Sequence, residues 1–134
     1  MEKILGFFEK RCYLFYCYTN HRYSQNQKKF QKSWKNDFFD FVGAAIDDAG
    51  SPAEACEAIR PSFARLLADP AWLPGRFQEG DPDSGMGGGI GQWLLFRAED
   101  RSLTLFSLVV PSGAQTPVHD HLAWGLVGLY RGTQ

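Results

Sequence analysis

The sequence lacks the features that mark an exported or membrane-bound chain. Its three cysteines, Cys12, Cys17 and Cys56, are an odd and scattered set. They read as free thiols in a reducing compartment rather than as a disulfide framework. No apolar run reaches the roughly 20 residues that span a bilayer. Glu9, Lys10 and Arg11 interrupt the apolar start before a signal-peptide core can form. The expected location is therefore cytoplasmic. Net charge is only −1, which gives no general attraction to nucleic acid or to a membrane surface. Histidine is scarce as well: His21, His119 and His121 are all there are. What the 134 residues do contain, 44% hydrophobic and 15% aromatic, is material for one globular domain at most.

A second set of absences divides the chain. Residues 1–36 contain no alanine and no proline, and one glycine, Gly6; residues 37–134 contain no lysine and no asparagine. The first part carries eight basic and two acidic side chains, +6, and the second six arginines against thirteen acids, −7. Lys, Asn, Phe and Tyr come from A/T-rich codons, whereas Ala, Gly, Pro and Arg come largely from G/C-rich ones. The expectation is that residues 1–37 are a basic aromatic segment foreign to the domain that follows. Uniform base composition of the coding DNA across codon 37 would refute this. Within the segment, residues 4–18 fit a short helix or a strand, since periodicity does not decide. Residues 21–35 read as a solvated, partly disordered arm rather than a nucleic-acid or membrane contact.

After the seam come helices, then a loop, then strands. Phe38, Phe41, Val42, Ala45 and Ile46 recur at helical spacing, with Asp37 as the expected cap and Gly50 as the stop. Ser51-Pro52-Ala53-Glu54 signals a second helix: Ser at the N-cap, Pro at the first helical position, Glu at the third. Ala55, Cys56 and Ile59 form its apolar face, Pro61 is expected to break or restart it, and Phe63, Leu66 and Leu67 continue it. Cys56 reads as structural, with no His or Lys near it in sequence. Residues 70–91 are rich in Pro, Gly and Asp and read as loop anchored by Trp72, Leu73 and Phe77. Its run Gly85-Met86-Gly87-Gly88-Gly89-Ile90-Gly91 has neither dinucleotide-loop nor lysine-bearing phosphate-loop spacing, so a mobile linker or lid is expected. Residues 92–98 and 102–110 alternate as strands about a turn at Glu99-Asp100-Arg101, and residues 124–131 form another, completing a meander.

The stretch that carries chemistry is Thr116-Pro117-Val118-His119-Asp120-His121. On a strand, positions two apart share a face, so His119 and His121 can present two imidazoles to one ion while Asp120 faces away. The pair alone leaves two readings, metal ligands or hydrogen-bonded polar groups of a strand. The Pro111-Ser112-Gly113 turn, Pro117, and Gly125, Gly128 and Gly132 favour the first, because they leave room for close backbone approach.

Gly113, then His119-x-His121, then Gly132 resembles the first motif of the cupins, the double-stranded β-helix proteins. The wording from Thr116 to His121, followed by Trp124-Gly125-Leu126-Val127-Gly128, is similar to the bacterial thiol dioxygenases, the group of cysteine dioxygenase and 3-mercaptopropionate dioxygenase. The resemblance covers about residues 38–134. Ordinary cupins place a metal-binding Glu four or five residues past the second His; here Gly125 and Leu126 stand there. Loss of that carboxylate is a mark of the thiol dioxygenases, which bind iron through three histidines.

The resemblance implies an α+β chain with a mainly β core, N-terminal helices preceding an incomplete cupin barrel. Helices fall at 38–69, a loop at 70–91 and strands at 92–134. It implies Fe(2+) as cofactor, held by His119 and His121, with a small thiol and dioxygen as substrates and a sulfinic acid as product. An arginine one strand earlier binds substrate carboxylate in cysteine dioxygenase. That place falls near Gln92 and Trp93, and Arg97 is the arginine on the same strand, either a substrate contact or a strand-end charge near Glu99 and Asp100. No histidine follows His121, so the chain is expected to be a fragment, truncated after the first motif and inactive in this form, with weak metal affinity. Open strand edges are then an expected route to self-association. A non-catalytic cupin-like binding module and an inert fragment are the alternatives.

Overall fold

In the computed structural model, the residues described are 11–18, 34–99, 103–118 and 123–133. Two helices, α1 (Trp34–Asp48) and α2 (Pro52–Ala68), and a 3-10 turn at Gly75–Gln78 lie against an antiparallel sheet. Its strands are β1 (Arg11–Tyr18), β2 (Gly91–Arg97), β3 (Leu103–Val110) and β4 (Trp124–Arg131). The arrangement is mixed α+β.

Each helix buries one stripe. Phe39 and Val42 of α1 and Ala55, Ile59 and Phe63 of α2 join Leu95, Leu103, Leu105, Val109, Leu126 and Tyr130 of the sheet in one core. Phe39 lies flat on Phe96 of β2, ring centroids 3.6 Å apart. Phe41, expected on the apolar stripe, is 44% exposed. Its position leads Val42 by 100° and so falls beside the contact rather than in it. Helix α1 starts at Trp34, so Asp37 sits in its first turn rather than capping it. A carboxylate there still favours the helix through the positive end of the macrodipole. The compositional seam at 36–37 therefore falls inside a helix.

The cap of α2 is the one its sequence announces. Ser51 Oγ accepts from Glu54 N at 3.2 Å, and the Glu54 carboxylate accepts from Gly50 N at 2.8 Å. Ser51→Ala should cost ~1 kcal/mol, lowering the thermal midpoint by roughly 3–5 °C; a circular-dichroism melt measures it, and an unchanged midpoint would show that the cap does not hold the helix end. Pro61 does not break α2, which runs through it. The missing amide leaves the carbonyl of Glu57 without its helical donor. Both residues lie on the exposed side, where water can take that carbonyl, while Ile59 and Phe63 pin the helix from beneath.

The strands are not a meander. The order is β2-β3-β1-β4, with β1 antiparallel to both neighbours. Strands β3 and β4, consecutive in the second half of the chain, are therefore parallel and separated by a strand from its beginning. The edges of the sheet are β2 and β4. The turn expected at Pro111-Ser112-Gly113 is there, closed by Ala114 N donating to Pro111 O at 3.0 Å, with Gly113 at φ 80°. Thr116 and Pro117 lie outside any strand and Val118 is a fully exposed bend, so the strand expected through the histidine motif does not include them. Pro117 has no amide to give a ladder, which removes one reason for pairing there.

Candidate functional site

His119, Asp120 and His121 lie outside the described residues, as does His21. Around them the chain arrives from exposed Val118 and leaves through half-buried Ala123 into β4. Among the described residues no three or more His, Cys, Asp or Glu side chains come together as a metal-holding group.

The residue that can be placed is Arg97. It ends β2, half-buried, opposite Thr104 of β3. Paired positions share a face of the sheet, and Thr104 alternates with the core residues Leu103 and Leu105. Arg97 therefore stands on the face turned away from the helices. The same alternation places Phe106, Leu108 and Val110 there, with Leu94 opposite Phe106. Among the described residues Arg97 makes no ion pair, and Asp100, one of the two acids expected near it, lies outside them.

Gln92 and Arg97 share this face because of an irregularity. Five residues apart, they would point to opposite sides of a regular strand. The pairing of β2 with β3 shifts between Leu94 and Phe96, so Leu95 is an extra residue and the alternation restarts after it. Leu95 is 2% exposed in the core and Phe96 also packs on the helical side. Trp93 points to the helical side, its indole Nε1 donating to Glu79 O at 2.8 Å. Of the two places where the dioxygenase resemblance looks for an arginine, one is thus committed to packing and the other, Gln92, lies on Arg97's face.

One end of this face is roofed. Ile90 packs on Leu108 and Val110, with Ala114 and Phe106 beside them. Ile90 belongs to the glycine-rich loop expected as a mobile lid. That loop is braced from within: Asp81 N donates to Gly89 O at 2.9 Å, Ile90 N to Gly87 O at 3.1 Å, and Ser84 Oγ to Ile90 O at 2.5 Å. Gly85, Gly87, Gly88 and Gly89 all have positive φ, conformations open to glycine and strained for other residues. The glycines thus serve the loop's own hydrogen bonds. Towards β4 the face opens, and Val127 is 58% exposed.

Cys56 is half-buried on α2 with its thiol directed at Gly125 O, 3.8 Å away. Burial pushes its pKa up, against a downward pull from Arg60 and a smaller upward push from Glu57. A raised thiol is mostly protonated at neutral pH and a poor nucleophile, in keeping with a packing role. Gly128 of β4 lies directly under Leu67, where a Cβ would collide with the leucine methyls. Close approach was the role expected of this glycine, and here it lets α2 sit on the sheet.

No known family matches the chain as a family model, and no solved structure matches it.

Proposed function

We propose that the chain carries the metal strand of a non-haem iron(II) thiol dioxygenase site, within an incomplete cupin barrel whose inner surface is the sheet face turned from the helices. The observation that carries this is His119-x-His121 with no carboxylate at Gly125 or Leu126. Two neutral imidazoles suit a borderline divalent ion, and soft thiolate chemistry is compatible with it. Bound iron(II) supplies the chemistry by which dioxygen reaches sulfur and a thiol becomes a sulfinic acid. Arg97 offers a half-buried cation on a face that also carries Leu94, Phe106 and Leu108 with Gln92 and Thr104, suited to the carboxylate of cysteine or 3-mercaptopropionate. The roof of Ile90 and Ala114 keeps water from one end of that face. Self-association would run along the edges of β2 and β4.

This chain brings two imidazoles to such a site, which predicts weak iron binding and little turnover. Ferrous ion titrated anaerobically into the chain should bind, and His119→Ala or His121→Ala should each cut affinity at least about tenfold, the lower bound for disturbing even an outer partner of a ligand. Equal affinity in all three proteins would remove the metal reading. Iron binding that depends on the pair, without thiol-dependent oxygen uptake, would instead fit a cupin-like module that binds and does not catalyse.

A further inference from the structure

The two walls of the gap that β1 fills are held by contacts made without it. On the β3 side, Ser107 Oγ donates to Phe77 O at 2.8 Å, and β2 completes the ladder along the outer edge. On the β4 side, Tyr130 OH donates to Asp69 O at 2.8 Å, Trp72 meets the Tyr130 ring at 6.0 Å, and Leu67 seats on Gly128. Both walls are thus tied to the same helical layer. Two strands with one between them stand about 9.6 Å apart, too far to bond each other. Both also run the same way, so the gap presents two rows of backbone donors and acceptors to any extended segment that runs against them.

Every residue from Arg11 to Tyr18 stands opposite one on β3, and every residue from Cys12 to Tyr18 opposite one on β4. The segment that does this, Arg-Cys-Tyr-Leu-Phe-Tyr-Cys-Tyr, comes from the part of the chain whose composition differs from the rest. Main-chain pairing makes such a match undemanding of sequence: ladder bonds give the affinity and alternate side chains the selectivity. Fifteen residues separate Tyr18 from Trp34. Extended, they span up to about 50 Å, so β1 can leave the gap without unwinding α1.

We propose that the gap between β3 and β4 is a strand-acceptor site for an extended aromatic peptide, and that Arg11–Tyr18 is its resident occupant, held in cis. The site takes the same segment when it is delivered in trans.

The test uses the full chain with a specific protease site replacing residues 24–27. After native cleavage and gel filtration, the N-terminal fragment should travel with the remainder. A labelled peptide of residues 11–18, in excess, should displace it. The same peptide N-methylated at alternate amides keeps its side chains but loses ladder donors, and should bind at least about tenfold more weakly. Release of the fragment from a remainder that keeps its circular-dichroism spectrum overturns the proposal. Equal displacement by the N-methylated peptide also overturns it, as does unfolding on cleavage, because the walls would then not stand without a tethered strand. Displacement by β1 of a second copy, seen as a dimer of uncleaved chains that the peptide dissolves, supports it.

Discussion

Phe39→Ala should cost about 3–5 kcal/mol of folding stability, a large part of the 5–15 kcal/mol that a domain usually has. Phe39 is 7% exposed and stacks on Phe96 with the ring planes 9° from parallel. Phe38 meets its edge at 5.3 Å. Truncation would leave a ring-sized void at the place where α1 docks on β2, and the flat backbone of the sheet cannot collapse into it. A denaturant titration should show the midpoint falling sharply, with Phe39→Leu losing much less because most of the volume stays. A loss below about 1 kcal/mol in Phe39→Ala would mean that α1 does not dock through this stack.

The second large effect is expected at Gly91, the first residue of β2. A Cβ there would lie 2.6 Å from Glu79 O and 2.9 Å from Trp93 Nε1, the two atoms of the hydrogen bond that ties the loop to the strand. Asp81 N is 3.2 Å away, so neither side of the loop has room to retreat. Gly91→Val should therefore break the indole bond and displace the loop, at a cost of about 2–4 kcal/mol from overpacking and the lost hydrogen bond. The indole proton of Trp93 in an NMR spectrum reports the bond directly. Gly75→Ala is the control: a Cβ there meets nothing within 4 Å and should be nearly silent. If Gly91→Val were equally silent, the loop would not be clamped at Glu79.

Why some of this was legible in the sequence and some was not follows from the range of each interaction. Ser51, Pro52 and Glu54 act on one another within a turn, so the start of α2 could be read from four letters. The β2–β3 hairpin and the turn at Pro111 are local in the same way. Burial of Trp72, Leu73 and Phe77 followed from their being the large apolar groups of a polar loop. Strand order was not legible, because it depends on Arg11–Tyr18 entering between strands more than eighty residues later, and β1 had equal claims to helix and strand. Pro61 misled because a proline's cost in a helix depends on whether the freed carbonyl meets water, which composition does not tell. At the candidate site, the histidine spacing was visible, and the residues themselves lie outside those described. The face occupied by Arg97 turned on an unpaired residue for which no sequence signal exists.

That unpaired residue makes the face of Arg97 a matter of parity. Removing Leu95 would close the bulge and keep Arg97 opposite Thr104, whereas keeping Leu95 and pairing it into a regular ladder would turn Arg97 over. Its guanidinium would then lie among Phe39, Leu103 and Leu105, where a lone cation is strongly disfavoured. Variants of this chain can therefore lose the residue at the bulge more readily than they can lose the bulge and keep the residue.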